Sequence, residues 1–183
     1  METMMDRFPT SPSSPDNSRL DPRAIHVDEE GDWFYQGNKI IREDILEFFL
    51  ENLRLAPDGA FMIEWKQQRC YLDASDTPFV ISGVDRGKPD GSRQSGSPSA
   101  FEGFGEERIL LTLRHLSTAE VLNPATLYVG KENVLYCRVR GGRFPARFSR
   151  PAYYRFASWI QEDTTTGEFY VELDGKRYHI AMP

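Results

Sequence analysis

The spacing of hydrophobic residues changes along residues 39–72, and each change predicts a different element. Within residues 42–55 the apolar positions recur three and four apart, which is the period of an amphipathic helix. Pro57-Asp58-Gly59 follows and is expected to end this helix. Apolar and polar positions then alternate up to Leu72, as in a β-hairpin. The apolar stripe of the predicted helix comprises Ile45, Leu46, Phe48, Phe49 and Leu53.

The same pattern recurs in residues 147–180, which lie 108 positions later and align with residues 39–72 without a gap. Pro151 falls in the first turn of the second predicted helix, where proline is tolerated. That helix is expected to bury Tyr153, Tyr154, Phe156, Ala157 and Ile160. The identical pairs of the two copies are Arg42 and Arg150, Phe48 and Phe156, Gly59 and Gly167, Phe61 and Phe169, Glu64 and Glu172, and Arg69 and Arg177.

The duplication also predicts the register of the two hairpins. A shift of one residue would move every side chain to the opposite face of the sheet, so both copies must agree on a single register. In the first hairpin, Glu64 then faces Arg69, Ile63 faces Cys70 and Phe61 faces Leu72. In the second, Glu172 faces Arg177, Val171 faces Tyr178 and Phe169 faces Ile180.

The fold class predicted from these patterns is α+β, with an internal duplication. Two similar lobes are expected, each with one helix packed on an antiparallel β-sheet. Residues 1–21 are interpreted as a disordered tail, 22–84 as the first lobe, 85–105 as a flexible Gly/Ser/Pro-rich loop and 106–183 as the second lobe. Further strands are predicted at residues 24–27, 33–35, 80–84, 109–113, 127–129, 134–139 and 144–148.

Composition narrows the class of protein. The 183 residues carry a net charge of −6, which argues against nucleic-acid or anionic-membrane binding by the whole surface. No apolar run approaches the roughly 18 residues of a membrane span, and no secretory signal is recognisable. Cys70 and Cys137 are far apart and are expected to be free thiols. We therefore expect a soluble, cytoplasmic protein.

One segment departs from the acidic average. Between Arg138 and Arg155 the chain holds six arginines and neither an acidic residue nor a lysine. Guanidinium groups and a helix N-terminus together favour a phosphate or carboxylate. The alternative is that these arginines pair with the chain's own carboxylates. The candidate anion-binding residues are Arg138, Arg140, Arg143, Arg147 and Arg150.

The sequence gives only weak indications of other kinds of functional site. Phe144, Phe148, Tyr153 and Tyr154 alternate with the arginines as stacking platforms for nucleic acid would, but their spacing favours core positions. His26, His115 and His179 lie far apart in the sequence, so one of them belongs to a catalytic triad only if the fold brings distant residues together. Asp73 and Asp76 flank Ser75, which is typical of a metal site or of a turn before Pro78. No metal, cofactor or catalytic residue is predicted.

Several motifs together resemble the bacterial domain-of-unknown-function family numbered one-two-eight-five. That family has no established activity, so the resemblance implies only a bacterial protein with a duplicated α+β fold. The chain departs from the family pattern before Asp21, within 85–105, and at Ser75-Asp76-Thr77, where an acidic pair is usual. The motifs are Gly31-Asp32-Trp33-Phe34-Tyr35-Gln36-Gly37, Ile41-Arg42, Asp76-Thr77-Pro78-Phe79, Val139-Arg140, Ala146-Arg147-Phe148-Ser149-Arg150 and Tyr153-Tyr154.

Two functions of different class follow from the sequence. The first is a non-catalytic module whose arginines bind an anionic small molecule or an acidic protein segment. The second is a small enzyme that acts on a phosphate or carboxylate substrate, with carboxylates of the first lobe meeting arginines of the second. The sequence alone gives neither the ligand nor the oligomeric state.

Overall fold

The computed structural model of the protein describes residues 24–87 and 106–182. The first sheet has six strands in the order β3-β2-β1-β6-β5-β4, and all neighbours are antiparallel except β1 and β6. Its elements are β1 Ile25–Val27, β2 Trp33–Tyr35, β3 Asn38–Lys39, α1 Glu43–Glu51, β4 Leu53–Leu55, β5 Phe61–Trp65 and β6 Gln68–Ala74. This sheet and α1 form the first lobe.

The second lobe contains another six-stranded sheet, the second helix and a small third sheet. The large sheet has the order β10-β11-β12-β7-β8-β9, and the small one has the order β13-β14-β15. The bounds are β7 Phe79–Gly87, β8 Arg108–Leu113, β9 Ala119–Val121, β10 Tyr128–Val129, β11 Leu135–Val139, β12 Phe144–Phe148, α2 Arg150–Ala157, β13 Ile160–Glu162, β14 Phe169–Leu173 and β15 Lys176–His179. Short 3-10 helices occupy Pro124–Thr126 and Lys131–Asn133.

The duplication is confirmed, and it is longer than the two hairpins. In the first lobe β1 pairs in parallel with β6 through His26 and Asp73. In the second lobe a parallel bridge joins Tyr128 of β10 to Ala181, just after β15, and Val129 N donates to Ala181 O at 2.8 Å. Both copies therefore follow the order of three strands, a helix and three strands. We call residues 25–74 the first copy and residues 128–181 the second copy.

The predicted hairpin registers are confirmed. In β5 and β6, Glu64 is paired with Arg69, Ile63 with Cys70 and Phe61 with Leu72. In β14 and β15, Glu172 is paired with Arg177 and Val171 with Tyr178. The last expected pair, Phe169 and Ile180, is joined by a hydrogen bond of 2.8 Å from Ile180 N to Phe169 O.

The gapless alignment is wrong across the helices. The residue before α1 is Arg42 and the residue before α2 is Ser149, an offset of 107 rather than 108. Leu53 of β4 pairs with Ile63, and Ile160 of β13 pairs with Val171, so the same offset applies to these strands. The second copy thus has one residue fewer before its helix and one more in the turn after β13. Phe156 corresponds in space to Phe49, and the Phe48–Phe156 identity is coincidental.

Both helices are shorter than predicted. Helix α1 ends at Glu51, where Asn52 Nδ2 donates to Phe48 O at 2.8 Å, and Leu53–Leu55 forms β4 because its backbone pairs with β5. Helix α2 ends at Ala157, and Ile160 begins β13. Tyr153 and Tyr154 are exposed, so these two residues of the predicted apolar face of α2 are wrong, whereas Phe156 is buried as predicted. Ala152 and Phe156 are the residues of α2 that are buried.

Strand β7 changes the boundary between the lobes. It pairs with β8 and with β12, so residues 80–84, expected in the first lobe, lie in the second sheet. It also continues to Gly87 through pairs such as Asp85 with Leu110, because backbone pairing does not require apolar side chains. Residues 85–87 are therefore strand and not loop. The remainder of the predicted loop and the predicted tail at 1–21 lie outside the described residues.

One hydrophobic core runs through both lobes, and the rings of Phe61 and Phe144 are 6.5 Å apart across the boundary. The two cysteines are free and buried in it, as expected. Burial raises the pKa of Cys137 to about 12 and also raises the pKa of Cys70, so neither thiol is a reactive nucleophile at neutral pH. Neither described helix is long and apolar enough to cross a membrane.

Candidate functional site

The five candidate arginines do not form one cluster. The register of β11 and β12 pairs Tyr136 with Arg147 and Arg138 with Pro145, so Arg138 and Arg147 share one face of the sheet. Arg140 and Arg143 lie in the turn that joins these two strands. Arg150 begins α2, beyond the opposite end of β12. The structure therefore separates the predicted site into a turn, a sheet face and a helix start.

Arg147 contacts the first lobe. Its Nη1 lies 3.3 Å from a carboxylate oxygen of Glu29, in the turn between β1 and β2, and 3.3 Å from Asp76 Oδ2, in the connection between β6 and β7. The Tyr136 hydroxyl donates to the same Asp76 oxygen at 2.7 Å. The Arg147 side chain is only 21 % exposed. Arg147 therefore joins the two lobes.

Three further side chains contact the same turn, residues 28–32, which we call the acidic turn. Arg114 forms an ion pair with Asp32, and Lys39 Nζ lies 2.6 Å from the other oxygen of that carboxylate. His115 contacts Glu43 Oε2 at 2.7 Å and Gly31 O at 3.2 Å. Burial alone would raise the pKa of Asp32, but the neighbouring Lys39 and Arg114 hold that pKa below its ordinary value.

Gly31 allows this close approach of the two lobes. Its φ is +80°, and a Cβ atom there would lie 2.7 Å from Val80 Cγ2 in β7. Any other residue would be strained in this backbone conformation and would push the turn away from the second sheet. The acidic turn, Arg114 and Arg147 thus form the interface between the lobes.

The remaining arginines differ in whether they have a carboxylate partner. Arg140 Nη1 lies 3.6 Å from Glu120, which also accepts from the Arg140 backbone at 2.8 Å. Arg143 donates from Nε to Arg140 O and lies over the Phe144 ring. Within residues 24–87 and 106–182, Arg138, Arg143 and Arg150 form no ion pair and are exposed. The prediction that the arginines pair internally therefore holds for Arg140 and Arg147, and also for Arg155, whose Nη2 lies 2.8 Å from Asp85 Oδ1.

Two stacked tyrosines lie beside Arg138. The rings of Tyr128 and Tyr136 have centroids 5.2 Å apart and are inclined by 14°. Burial raises the pKa of both hydroxyls, and the hydrogen bond to Asp76 raises that of Tyr136 further, so both stay protonated at neutral pH. Gly130 makes room for the stack, since a Cβ atom there would lie 2.7 Å from the Tyr136 ring.

Three residues that the sequence did not connect come together on the first sheet. His26 of β1 contacts Asp73 Oδ2 through Nδ1 at 3.3 Å and Ser75 Oγ through Nε2 at 3.2 Å. The only signal in the sequence is the spacing of Asp73 and Ser75, which lie two positions apart at the end of β6 and just after it. The parallel pairing of β1 with β6 supplies the histidine, and no local pattern predicts that pairing.

The other histidines and a cleft of the second lobe lie elsewhere. His115 belongs to the lobe interface, and His179 contacts Glu168 at 3.2 Å on the third sheet. A cleft of about 560 Å³ opens between Val121, Leu173 and Tyr178, and it contains none of the candidate arginines. Among the described residues, no group of three or more His, Cys, Asp or Glu side chains is arranged to hold a metal ion.

The fold defines an α+β protein of two similar lobes built from an internal duplication. Its neighbours among solved structures belong to one family. A DUF1285 family protein from Silicibacter pomeroyi aligns with a TM-score of 0.64 and 19 % identity, over 87 % of this chain and 80 % of that chain. A DUF1285 family protein from Shewanella baltica aligns with a TM-score of 0.54 and 14 % identity, over 74 % of this chain and 91 % of that one.

These neighbours confirm the predicted resemblance at the level of fold. No family model and no curated protein matches the chain. At such low identity the likeness does not extend to a ligand or an activity. The function has to be argued from the residues of this chain.

Proposed function

We propose that the protein is a binding module whose ligand is an anion, bound without catalysis at the exposed end of the β11–β12 hairpin. The observation that carries the proposal is the contrast among its arginines. Arg140 and Arg147 are paired with carboxylates, whereas Arg138 and Arg143 are exposed and have no such partner in the described part of the chain. Two exposed guanidiniums at one end of a hairpin favour a phosphate or carboxylate.

The turn of this hairpin leaves room for a ligand. Gly141 and Gly142 have φ values of +70° and +81°, and apart from their chain neighbours no atom lies within 4 Å of the position of a Cβ atom at either residue. No other part of the fold therefore packs over these two glycines, which lie between Arg138 and Arg143. Arg140 is already paired with Glu120, and Arg150 lies beyond the other end of β12, so neither belongs to the proposed site.

The shape of this surface favours one of the two ligand classes. Sites for small molecules are concave and enclose most of the ligand. The hairpin end is exposed, and the described cleft lies elsewhere. An acidic segment of a partner protein, with carboxylates spaced along an extended chain, suits such a surface better than a free metabolite does.

The proposal is tested by titration with an octaglutamate peptide at low and at physiological salt, followed by calorimetry. We expect binding that weakens as salt rises, and a loss of about tenfold or more in affinity for the double variant Arg138→Ala/Arg143→Ala. Arg150→Ala is the matched control because it removes an exposed, unpaired arginine from the other end of β12. Equal affinity of the wild type and the double variant would contradict the proposal.

A catalytic function is the second candidate, and one observation favours it. Asp76, from the connection that leaves the first lobe, meets Arg147 of the second lobe, as an enzyme with its site between the lobes requires. Ser75 precedes Asp76 in the chain and carries a hydroxyl bonded to His26. Against this, Asp76 and Arg147 satisfy each other and leave little free charge for a substrate.

A further inference from the structure

We infer that Ser75, His26 and Asp73 form a nucleophilic site, in which Ser75 attacks the carbonyl carbon of a carboxylic ester. This goes beyond the binding function and does not depend on it, because none of the three residues belongs to the arginine hairpin. The order of contacts is the one that such a mechanism needs: a carboxylate on Nδ1 of the histidine and a serine hydroxyl on Nε2.

Strand geometry explains why these side chains meet. In the parallel pair of β1 and β6, His26 lies opposite Asp73, and Ser75 is the first residue after β6, two positions beyond Asp73. The chain at Ser75 is held by a hydrogen bond of 2.9 Å from its N–H to Val27 O. On its other side, His26 is paired across β1 and β2 with Phe34, and their ring centroids are 6.4 Å apart.

Each residue has a defined role. Asp73 accepts the Nδ1 proton and so fixes the neutral tautomer of His26 that leaves Nε2 free to accept. His26 Nε2, 3.2 Å from Ser75 Oγ, is the general base. Asp73 is a positioning residue, because it touches the histidine and not the reacting atoms.

The surroundings of Ser75 suit the negative charge that develops on the carbonyl oxygen. No residue of the described ranges accepts a hydrogen bond from the N–H of Asp76, and the N–H that follows the nucleophile is one of the two oxyanion donors in α/β-hydrolases. The Asp76 carboxylate itself forms an ion pair with Arg147 and accepts a hydrogen bond from the Tyr136 hydroxyl. Its repulsion of an oxyanion is therefore reduced.

The reaction is balanced without any further group. The Ser75 oxygen bonds to the acyl carbon, its proton passes to Nε2 of His26, and the ester bond breaks as this proton is given to the leaving alkoxide. Water then attacks the acyl-serine, losing a proton to His26. The carboxylic acid leaves, and the proton returns to Ser75.

The duplication shows that these side chains are not needed to build the strand pair. In the second copy the parallel bridge joins Tyr128 to Ala181, where the first copy has His26 and Asp73. The same backbone junction therefore forms without a histidine or a carboxylate. All three residues of the proposed site are also at least partly exposed, so their substitution leaves the core intact.

The test uses a fluorophosphonate, which forms a Ser75 O–P bond and releases fluoride while His26 takes the proton. Peptide mass spectrometry is expected to locate the label on Ser75 in the full-length protein and to find none in Ser75→Ala. We expect the labelling rate to fall about 100-fold in His26→Gln. It should fall about tenfold in Asp73→Asn and recover in Asp73→Glu, a rescue that loss of structure would not produce.

Ser117 provides the matched control. It is an exposed serine whose hydroxyl donates to the Glu47 carboxylate, and no histidine of the described ranges contacts it. Ser117→Ala should leave the labelling of Ser75 unchanged. Melting curves of every variant verify folding. Labelling of Ser75 that is no faster than that of Ser117, or that is unchanged in His26→Gln, would overturn the inference.

Discussion

The two copies share their backbone but differ at the junction between their first and last strands. In the first copy, two residue pairs join β1 to β6 and make one continuous sheet, with polar His26 and Asp73 at the contact. In the second, a single bridge joins Tyr128 of β10 to Ala181, just after β15, and the sheet divides there. The side chains at this junction are free to differ because backbone hydrogen bonds alone form the pair.

The outer edges of the copies differ as well. Strand β3 is an edge of the first sheet, whereas its counterpart β12 pairs in parallel with β7, so that β7, β8 and β9 extend the second sheet. This extension carries Arg114 and His115, which bind the acidic turn of the first copy. The strands between the copies therefore create the lobe interface, which neither copy could form by itself.

The largest expected effect is on the free energy of unfolding, and it differs between the cores of the two copies. Phe156 is 0 % exposed, and its counterpart Phe49 is partly exposed. Phe156→Ala should lower the free energy of unfolding by about 3–5 kcal/mol through loss of burial and formation of a cavity. Phe49→Ala should cost less, at about 2 kcal/mol, because part of its ring already contacts water. Urea unfolding measures both values.

Phe48→Ala is the control for the structural alignment. Phe48 packs edge-to-face on Trp65 at 5.0 Å on the partly exposed side of α1, and Phe49 packs on Trp33 in the core. If the offset of 107 is right, the cost at Phe48 should be smaller than the cost at Phe49. A larger cost at Phe48 would instead support the gapless alignment.

A smaller effect on stability should distinguish Arg147, which lies at the interface between the lobes, from the exposed Arg150. Arg147→Ala removes two ion pairs to the first lobe and leaves Asp76 with only the Tyr136 hydroxyl. We expect a loss of about 2 kcal/mol in stability, since unpaired, partly buried charges are costly. Arg150→Ala should stay within about 0.5 kcal/mol. Equal effects of the two substitutions would show that Arg147 does not join the lobes.

The smallest expected effect is a change of stability with pH that arises at the same interface between the lobes. The pKa of Asp32 is lowered in the folded protein, so its contribution to stability is present above the unfolded pKa of about 3.9 and is lost as pH falls through the folded pKa. Asp32→Asn should cost about 1 kcal/mol at pH 7. The difference from the wild type should shrink towards zero near pH 2. A difference that does not change with pH would exclude the charge of Asp32 as its cause.

The sequence determined the local elements and their repetition. Hairpin register was predictable because the alternation in β5 and β6 recurs in β14 and β15, and a shift of one residue would expose every apolar side chain of both. The strand at Ile109 was predictable from its run of aliphatic residues, and the strands at Trp33 and Phe144 from the glycine-containing turns beside them. Helix ends were not, since Leu53 and Ile160 fit a helical stripe as well as a strand. Only their pairing with β5 and β14 decides between them.

Tertiary structure alone decided which distant residues meet. Five arginines close in sequence are separated in space, because a strand, a turn and a helix start carry them in different directions. His26 and Ser75, 49 positions apart, are joined because β1 pairs in parallel with β6. Such pairing depends on backbone hydrogen bonds that every residue but proline offers equally, so the side chains leave little local trace of it. The local pattern of apolar and polar residues predicted the duplicated scaffold, whereas the candidate chemistry depends on long-range strand pairing.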